Sequence, residues 1–179
     1  MTRAVFLDRD GVLNKAYVRE GKPYSPDTIE EMIIAPDAAA ALSRLRRHGF
    51  RLIVATNQPD IARGRLTRAH VEAMNGYLRS KLPLDGIEMC THDDVDRCDC
   101  RKPKPGLLLH AAERDGIALA QSFMVGDRYR DIEAGHSAGC RTVLIGDGYG
   151  EAFKAQPDAT VFTLTEAADW ILEQPVTKD

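Results

Sequence analysis

An apolar run near the start of the chain, Val5-Phe6-Leu7, breaks directly into two acids, a basic residue and a glycine. This pattern predicts a buried strand whose last residues emerge into a loop. Because side chains alternate along an extended backbone, Asp8 and Asp10 should point the same way while Arg9 points elsewhere. Two carboxylates at such a short distance resist ionising together, so we expect that one acid is protonated or that a cation is bound between them. The alternative is an acidic turn after an edge strand.

The size and charge of the chain exclude several classes of function. Its 179 residues fit one domain, 1–179, with 44% hydrophobic and 28% charged residues, as in ordinary globular proteins. A net charge of -3 and a sequence pI of about 6.0 leave no basic field for nucleic acid or an anionic membrane. The sequence shows no secretion signal and no apolar run of membrane-spanning length. We therefore expect a cytoplasmic protein.

Apolar strands alternate with amphipathic helices along the chain. Further strands are predicted over residues 51–56, 87–89, 123–125, 142–145 and 159–162. Helices are predicted to begin at Pro36, after Thr67, at Pro105 and at Asp131, with a last one around Trp170. This alternation predicts an α/β fold of three layers, a doubly wound parallel sheet covered on both faces. Residues 17–34 are expected to form a loop over the strand ends, where Tyr17 can contact a ligand.

Polar side chains follow four of these strands at the point where each strand ends. In open parallel sheets, ligands bind outside the carboxyl ends of the strands. A single edge of the sheet is therefore expected to collect Asp8 and Asp10, Thr56 and Asn57, Cys90 and His92, and Asp127.

The side chains expected at this edge suit phosphate chemistry. Asp8, Asp10 and Asp127 supply hard oxygen ligands, which favour Mg²⁺ over zinc or copper. A hydroxyl from Thr56 and a lysine from residues 101–105 could neutralise and orient a phosphoryl group. One of the first two aspartates could then attack phosphorus, while the other protonates the leaving oxygen and later activates water.

Four motifs occur in order: DRDGV at 8–12, TNQ at 56–58, RKPKPG at 101–106 and GDRYRD at 126–131. Together they resemble the motifs of the haloacid dehalogenase (HAD) superfamily of phosphohydrolases. Within that superfamily the chain is similar to the D-glycero-D-manno-heptose-1,7-bisphosphate 7-phosphatases and their histidinol-phosphatase relatives. The resemblance covers about residues 4–147 and implies a HAD-like fold.

The resemblance also implies a role for each matching residue. Asp8 would be the nucleophile and Asp10 the general acid/base. Mg²⁺ would be bound by Asp8, the backbone carbonyl of Asp10, and Asp127, while Asp131 orients its neighbours. The expected phosphoryl and substrate contacts are Thr56 and Lys102, with Lys104 as the rival lysine, then Asn57, Gln58, Arg101, Arg128 and Tyr17.

A second metal site is predicted at Cys90-x-His92-x5-Cys98-x-Cys100. Four soft or borderline ligands with no open position are typical of a structural Zn²⁺ site. Their one-residue spacing is tighter than in common zinc fingers, but the resembling phosphatases carry the same C-x-H and C-x-C pairs. Zinc would pin the loop over residues 90–102, so losing it should lower activity indirectly. The alternative is a set of free thiols beside a surface histidine, while Cys140 is expected to be a core thiol.

The expected substrate is a small phosphorylated sugar. The best candidate is D-glycero-D-manno-heptose 1,7-bisphosphate, hydrolysed at its 7-phosphate. Pro59, Asp60 and Asp93 depart from the usual residues of the heptose group, whereas residues 61–64, IARG, match it. Histidinol phosphate or another sugar phosphate is the alternative substrate, and a non-catalytic, zinc-stapled binding module is the alternative function. No insertion is long enough for a separate cap domain. We expect a monomer or a weak homo-oligomer.

Overall fold

Strands and helices alternate along the computed structural model, which describes residues 2–175. The strands are β1 (Arg3–Leu7), β2 (Tyr17–Arg19), β3 (Lys22–Tyr24), β4 (Phe50–Asn57), β5 (Gly86–Cys90), β6 (Phe123–Gly126), β7 (Arg141–Ile145) and β8 (Ala159–Val161). The α-helices are α1 (Ala38–Arg47), α2 (Arg68–Lys81), α3 (Gly106–Asp115), α4 (Tyr129–Ala138) and α5 (Leu164–Glu173). Short 3₁₀ turns lie at Asp94–Asp96, Leu119–Gln121 and Gly148–Gly150.

Six of the strands form one parallel sheet in the order β5-β4-β1-β6-β7-β8. The predicted doubly wound α/β fold is therefore confirmed. The chain leaves β1 toward β4 on one side and later returns to β6 on the other side. The strand order thus reverses beside the carboxyl end of β1, which is where ligands bind in sheets of this kind.

The core lies on both faces of the sheet, as the alternation of side chains in β1 requires. Val5 and Leu7 join a cluster that contains the buried residues of α1 and α5 and two of those of α2, Met74 and Leu78. Ala4 and Phe6 join a second cluster with Leu107 and other residues of α3, and with the end of α4. Burial on both faces explains why β1 is a continuous apolar run.

Two helix ends follow the expected capping chemistry, while α1 and α4 begin at other residues than predicted. Helix α1 begins at Ala38, two residues after Pro36. Thr67 Oγ1 accepts a hydrogen bond of 3.1 Å from the backbone N–H of His70 and caps α2. Gly116 ends α3 in a left-handed conformation, with φ of 63°. Helix α4 begins at Tyr129, not at Asp131, because Asp131 lies within the first turn and accepts from the backbone N–H of Arg128. No helix within residues 2–175 is long and apolar enough to cross a membrane.

Part of the expected loop over residues 17–34 is an antiparallel hairpin of β2 and β3. Its two-residue turn holds Glu20 and Gly21, both with positive φ (49° and 74°). Two positive φ values are typical of a type I′ turn, whose twist matches that of the flanking strands. Glutamate is not among the residues preferred in this turn, so the sequence carried little signal for the hairpin.

We predict opposite effects on stability from alanine at two helical glycines. In α4, a Cβ on Gly135 would lie 2.6 Å from Met124 Cβ and 2.7 Å from Thr142 Cγ2, whereas a Cβ on Gly76 in α2 meets nothing within 4 Å. Gly135→Ala should lower the free energy of unfolding by about 1–3 kcal/mol through overpacking. Gly76→Ala should raise it by about 0.5–1 kcal/mol through helix propensity. Urea denaturation of both variants measures the contrast, and shifts of the same sign would contradict the packing of α4 on the sheet.

Candidate active site

An open cavity of about 80 Å³ lies at the carboxyl ends of β1, β4 and β6. It is lined by Asp8, Asp10, Ala16, Pro23, Tyr24, Ser25, Thr56, Asn57, Lys102, Arg128, Arg130 and Asp131. Seven of the residues predicted for the site therefore line one cavity, namely Asp8, Asp10, Thr56, Asn57, Lys102, Arg128 and Asp131. Asp8, Asp10, Thr56 and Asn57 thus converge at one edge of the sheet as expected, whereas Asp127, Cys90 and His92 are not among the lining residues.

The buried ammonium of Lys102 lies at the centre of this cavity wall. Its Nζ donates to Asp8 Oδ1 at 2.7 Å, to Asp131 Oδ1 at 2.5 Å and to the carbonyl of Ala55 at 2.6 Å. Burial opposes the charged form, but Asp131 and Asp8 outweigh it and raise the pKa of Lys102. Lys104, the rival lysine, instead donates to carbonyls of the cysteine-rich loop. Lys102 is thus the cation that can oppose a phosphoryl group at Asp8.

Asp8 and Asp127 are carboxylates that need a positive partner to stay ionised. Burial raises the pKa of Asp8 to about 7, assisted by the charges of Asp131 and Asp10 and opposed by Lys102. Burial and the charge of Asp8 also raise the pKa of Asp127 well above its usual range. Oxygens of Asp8, Asp127 and Asp131 lie within 4.8 Å of one another. One lysine does not balance three carboxylates, so this group favours a further cation.

The fit to Mg²⁺ depends on Asp127. Its Oδ1 is buried and has no hydrogen-bond partner among the described residues, so it is available as a metal ligand. Oxygen donors without histidine suit Mg²⁺. Gly11 makes room for this carboxylate, since a Cβ there, at φ of 93°, would lie 1.8 Å from Asp127 Oδ2. Both oxygens of Asp131 are occupied, one by Lys102 and one by the backbone N–H of Arg128, which supports the predicted orienting role.

Asp10 has different surroundings from Asp8, contrary to the expectation that Arg9 points away from it. Arg9 is fully buried and donates from Nε and Nη2 to the two oxygens of Asp10, at 3.1 and 3.0 Å. Further hydrogen bonds to Asp10 come from Asn14, Ser25 and Gln58. Burial opposes ionisation, but Arg9 and these donors outweigh it and lower the pKa of Asp10. The two acids therefore differ in the free protein: Arg9 and these donors keep Asp10 ionised, whereas burial favours the protonated form of Asp8 until a further cation is bound.

The TNQ motif at the end of β4 contributes positioning contacts. Asn57 and Lys102 exchange two hydrogen bonds of 3.0 Å, from Asn57 Nδ2 to the Lys102 carbonyl and from the Lys102 N–H to Asn57 Oδ1. Gln58 is buried and donates from Nε2 to both Asp10 Oδ2 and Thr56 Oγ1, at 3.0 Å each. Asn57 fixes the backbone of the lysine, and Gln58 ties Thr56 to Asp10.

Arg128, Arg101 and Arg130 each contact a carboxylate, and two of them line the cavity. Arg128 lines the cavity, but its guanidinium group pairs with Glu151 through Nε and Nη2. Arg101 lies outside the lining and donates from Nε to Asp94 Oδ1 at 2.8 Å. Arg130, which the sequence interpretation missed, lines the cavity and donates to the same oxygen at 3.0 Å. Its Nε is buried and unpartnered among the described residues.

The tyrosine at the cavity is not the predicted one. Tyr17 donates to the carbonyl of Glu31 at 2.9 Å and is not among the lining residues, whereas Tyr24 lines the cavity. The two residues are directly paired across the hairpin, so their side chains lie on the same face of it, and Tyr24 on β3 is the one that reaches the cavity. A recognised hairpin would have offered both as candidates.

The predicted zinc ligands form one cluster. Cys100 Sγ lies 3.1 Å from Cys90 Sγ, 3.5 Å from Cys98 Sγ and 3.4 Å from His92 Nδ1. Cys90 Sγ is 3.7 Å from both Cys98 Sγ and His92 Nδ1. Tetrahedral Zn²⁺ with Zn–S bonds of about 2.3 Å separates its sulfurs by roughly 3.8 Å, so these residues fit the ion. Cys140 lies apart and buried, and burial raises the pKa of its thiol to about 12.

Comparison with known proteins adds a family to this geometry. A family model described as HAD-hydrolase-like matches residues 99–167. The D-glycero-beta-D-manno-heptose-1,7-bisphosphate 7-phosphatase of Pseudomonas aeruginosa is 38% identical over 166 residues, covering 88% of this chain and 89% of that protein. The Escherichia coli enzyme of the same name is 38% identical over 182 residues, with coverages of 94% and 87%.

Solved structures agree with these relatives. The D,D-heptose 1,7-bisphosphate phosphatase of B. bronchiseptica, complexed with magnesium and phosphate, superposes with a TM-score of 0.82 and 31% identity. That match covers 96% of this chain and 99% of that one. The D,D-heptose 1,7-bisphosphate phosphatase of Burkholderia thailandensis gives a TM-score of 0.70 at 27% identity, with coverages of 97% and 100%.

The cysteine cluster generates a prediction about metal content. Cys98→Ala removes one of the four ligands and should lower the zinc content and the melting temperature of the purified protein. Cys140→Ala removes a thiol outside the cluster and should keep its zinc. Elemental analysis by mass spectrometry and a thermal melt check both variants. Full zinc content in the Cys98 variant, or no zinc in the unmodified protein, would contradict the site.

Proposed function

Because the chain belongs to the heptose-1,7-bisphosphate 7-phosphatase family of HAD-like hydrolases, we propose that its substrate is D-glycero-D-manno-heptose 1,7-bisphosphate, hydrolysed at the 7-phosphate. The relatives' names favour the β anomer. The observation that carries the proposal is the buried group of Asp8, Lys102 and Asp131 next to Asp127, at the edge where the strand order reverses.

Asp8 is the proposed nucleophile. One of its carboxylate oxygens attacks phosphorus, an aspartyl phosphate forms, and the bond from phosphorus to the sugar oxygen breaks. The sugar oxygen takes a proton from Asp10. Water then attacks the aspartyl phosphate and gives a proton back to Asp10, so that sugar and inorganic phosphate leave and both aspartates are restored.

The surroundings of Asp10 support its part in the second half of this cycle. Arg9 and the donors around Asp10 lower its pKa, so the free protein holds it ionised. An ionised carboxylate is ready to accept a proton from water. To act first as an acid, Asp10 must take up a proton when the phosphate ester arrives and adds negative charge to the site.

The remaining residues hold the phosphoryl group and its charge. Lys102 and Thr56 donate to phosphoryl oxygens, and Asn57 and Gln58 keep these two donors in place. Mg²⁺, when bound by Asp8, Asp127 and the backbone carbonyl of Asp10, supplies positive charge against the phosphoryl oxygens. Zn²⁺ in the cysteine cluster holds the loop that ends in Lys102.

The hairpin and the arginines shape the rest of the pocket. Tyr24, at the end of β3, and Ser25, directly after it, line the cavity. The hairpin thus covers the site in place of a cap domain. We assign the second phosphate of the substrate to the side of the cavity lined by Arg128 and Arg130, because a guanidinium group binds phosphate through paired N–H donors. Arg130 is the foremost candidate, since it lines the cavity with an unpartnered Nε among the described residues.

A substrate panel tests the proposed reaction. With Mg²⁺ present, we expect phosphate release from heptose 1,7-bisphosphate to be much faster than from histidinol phosphate, fructose 1,6-bisphosphate or mononucleotides. Both anomers belong in the panel. Asp8→Asn should abolish release, because an amide cannot form the acyl phosphate. Equal rates across the panel that still require Asp8 would refute the substrate and keep the chemistry. Release that does not need Asp8 would refute the mechanism.

The assignment of Arg130 predicts a selective loss. Arg130→Gln should lower kcat/KM for the bisphosphate by roughly 10- to 100-fold, the worth of a charge-assisted hydrogen bond of about 1.5–3 kcal/mol. For heptose 7-phosphate, which lacks the second phosphate, kcat/KM should change little. Arg97→Gln removes an exposed arginine from the neighbouring loop and serves as the control for net charge. Equal losses for the two substrates would contradict contact with the second phosphate.

A further inference from the structure

The turn that follows β7 reaches back to the site at two points. Tyr149 donates from its hydroxyl group to Asp127 Oδ2 at 2.8 Å. Two residues later, Glu151 pairs with Arg128, the neighbour of Asp127 in sequence. Both partners belong to the loop between β6 and α4, so the turn over residues 146–151 holds the residues expected beside the metal.

The backbone of Tyr149 adopts a conformation that side chains disfavour. Its φ and ψ are 56° and 27°, between Gly148 and Gly150, which have φ of 69° and 68°. A left-handed conformation costs a residue with a Cβ about 1–2 kcal/mol relative to glycine. A strained backbone of this kind persists only where the surrounding structure enforces it, and such positions often lie at functional sites. Asp147 stabilises the turn by accepting the backbone N–H of Tyr149 at 3.0 Å.

Gly11 and Tyr149 both lie against the same oxygen of Asp127, Oδ2. The missing side chain of Gly11 lets the backbone approach this oxygen closely, and the hydroxyl group of Tyr149 donates to it. The remaining oxygen, Oδ1, is buried and unpartnered within the described residues, in the group shared with Asp8 and Asp131. The hydrogen bond therefore selects which oxygen of Asp127 is free for a cation.

We propose that Tyr149 is a positioning residue for the magnesium ligand Asp127. This inference rests on the proposed Mg²⁺ site and is independent of the proposed sugar substrate. Carboxylates that bind metals are themselves oriented by hydrogen bonds, and losing such a partner typically costs about 10- to 100-fold in metal affinity or activity. Tyr149 does not touch the reacting atoms. Its effect reaches the reaction through the orientation of Asp127.

Tyr149→Phe tests the proposal, since it removes the hydroxyl group and keeps the ring. The matched control is Tyr77→Phe, the same change at a partly buried tyrosine of α2. Titration of the zinc-loaded protein with Mg²⁺ alone, followed by calorimetry, should give a dissociation constant about 10-fold or more higher for Tyr149→Phe than for the unmodified protein. The control should bind Mg²⁺ with unchanged affinity. The melting temperature in magnesium-free buffer should stay the same.

Kinetics provide a second measurement. The Mg²⁺ concentration that gives half-maximal phosphate release should rise for Tyr149→Phe by the same factor, while kcat at saturating Mg²⁺ recovers toward that of the unmodified protein. Equal Mg²⁺ affinity in Tyr149→Phe and the unmodified protein would overturn the inference alone. A lower melting temperature with unchanged Mg²⁺ affinity would also overturn it and assign Tyr149 to stability. No Mg²⁺ binding by the unmodified protein would overturn the metal site as well.

Discussion

The site depends on one buried ammonium group. Three carboxylates, of Asp8, Asp127 and Asp131, come within 4.8 Å of one another in a space that excludes most water. Carboxylates in such a space become neutral unless cations balance them. Lys102 supplies the protein's own positive charge there, and its Nζ is only 2.5–2.7 Å from its three acceptors. A ligand that brings further negative charge therefore needs a further cation.

The position of Lys102 in turn depends on the loop that carries it. Lys102 lies two residues after the predicted zinc ligand Cys100. The side chain of Asn57 makes two hydrogen bonds with the backbone of Lys102. The loop that carries the four predicted zinc ligands therefore leads directly into Lys102. Metal in this loop would act on the reaction through geometry, since no cysteine of the cluster lines the cavity.

Two residues that the sequence analysis set apart from the heptose group, Asp60 and Asp93, meet in one ion-pair network. Arg63 donates from Nε and Nη2 to Asp93, at 2.6 and 2.8 Å, and also lies 3.6 Å from Asp60. The network joins the loop after β4 to the cysteine-rich loop. Exposed ion pairs contribute little individually, about 0–1 kcal/mol, so their effect here is chiefly on loop position.

The alternation of strands and helices, and the gathering of Asp8, Asp10, Thr56 and Asn57 at one edge of the sheet, could be predicted from the sequence, because periodicity and strand ends are local properties. The choice of Lys102 over Lys104 came from the resemblance to HAD phosphatases, and Lys102 Nζ does lie 2.7 Å from Asp8 Oδ1. Only the tertiary structure decided that Arg130 instead of Arg101 lines the cavity, that Tyr24 replaces Tyr17 and that Tyr149 contacts Asp127. Those contacts join residues such as Arg130 and Asp94, 36 positions apart, through strained turns and loop packing that no local pattern encodes.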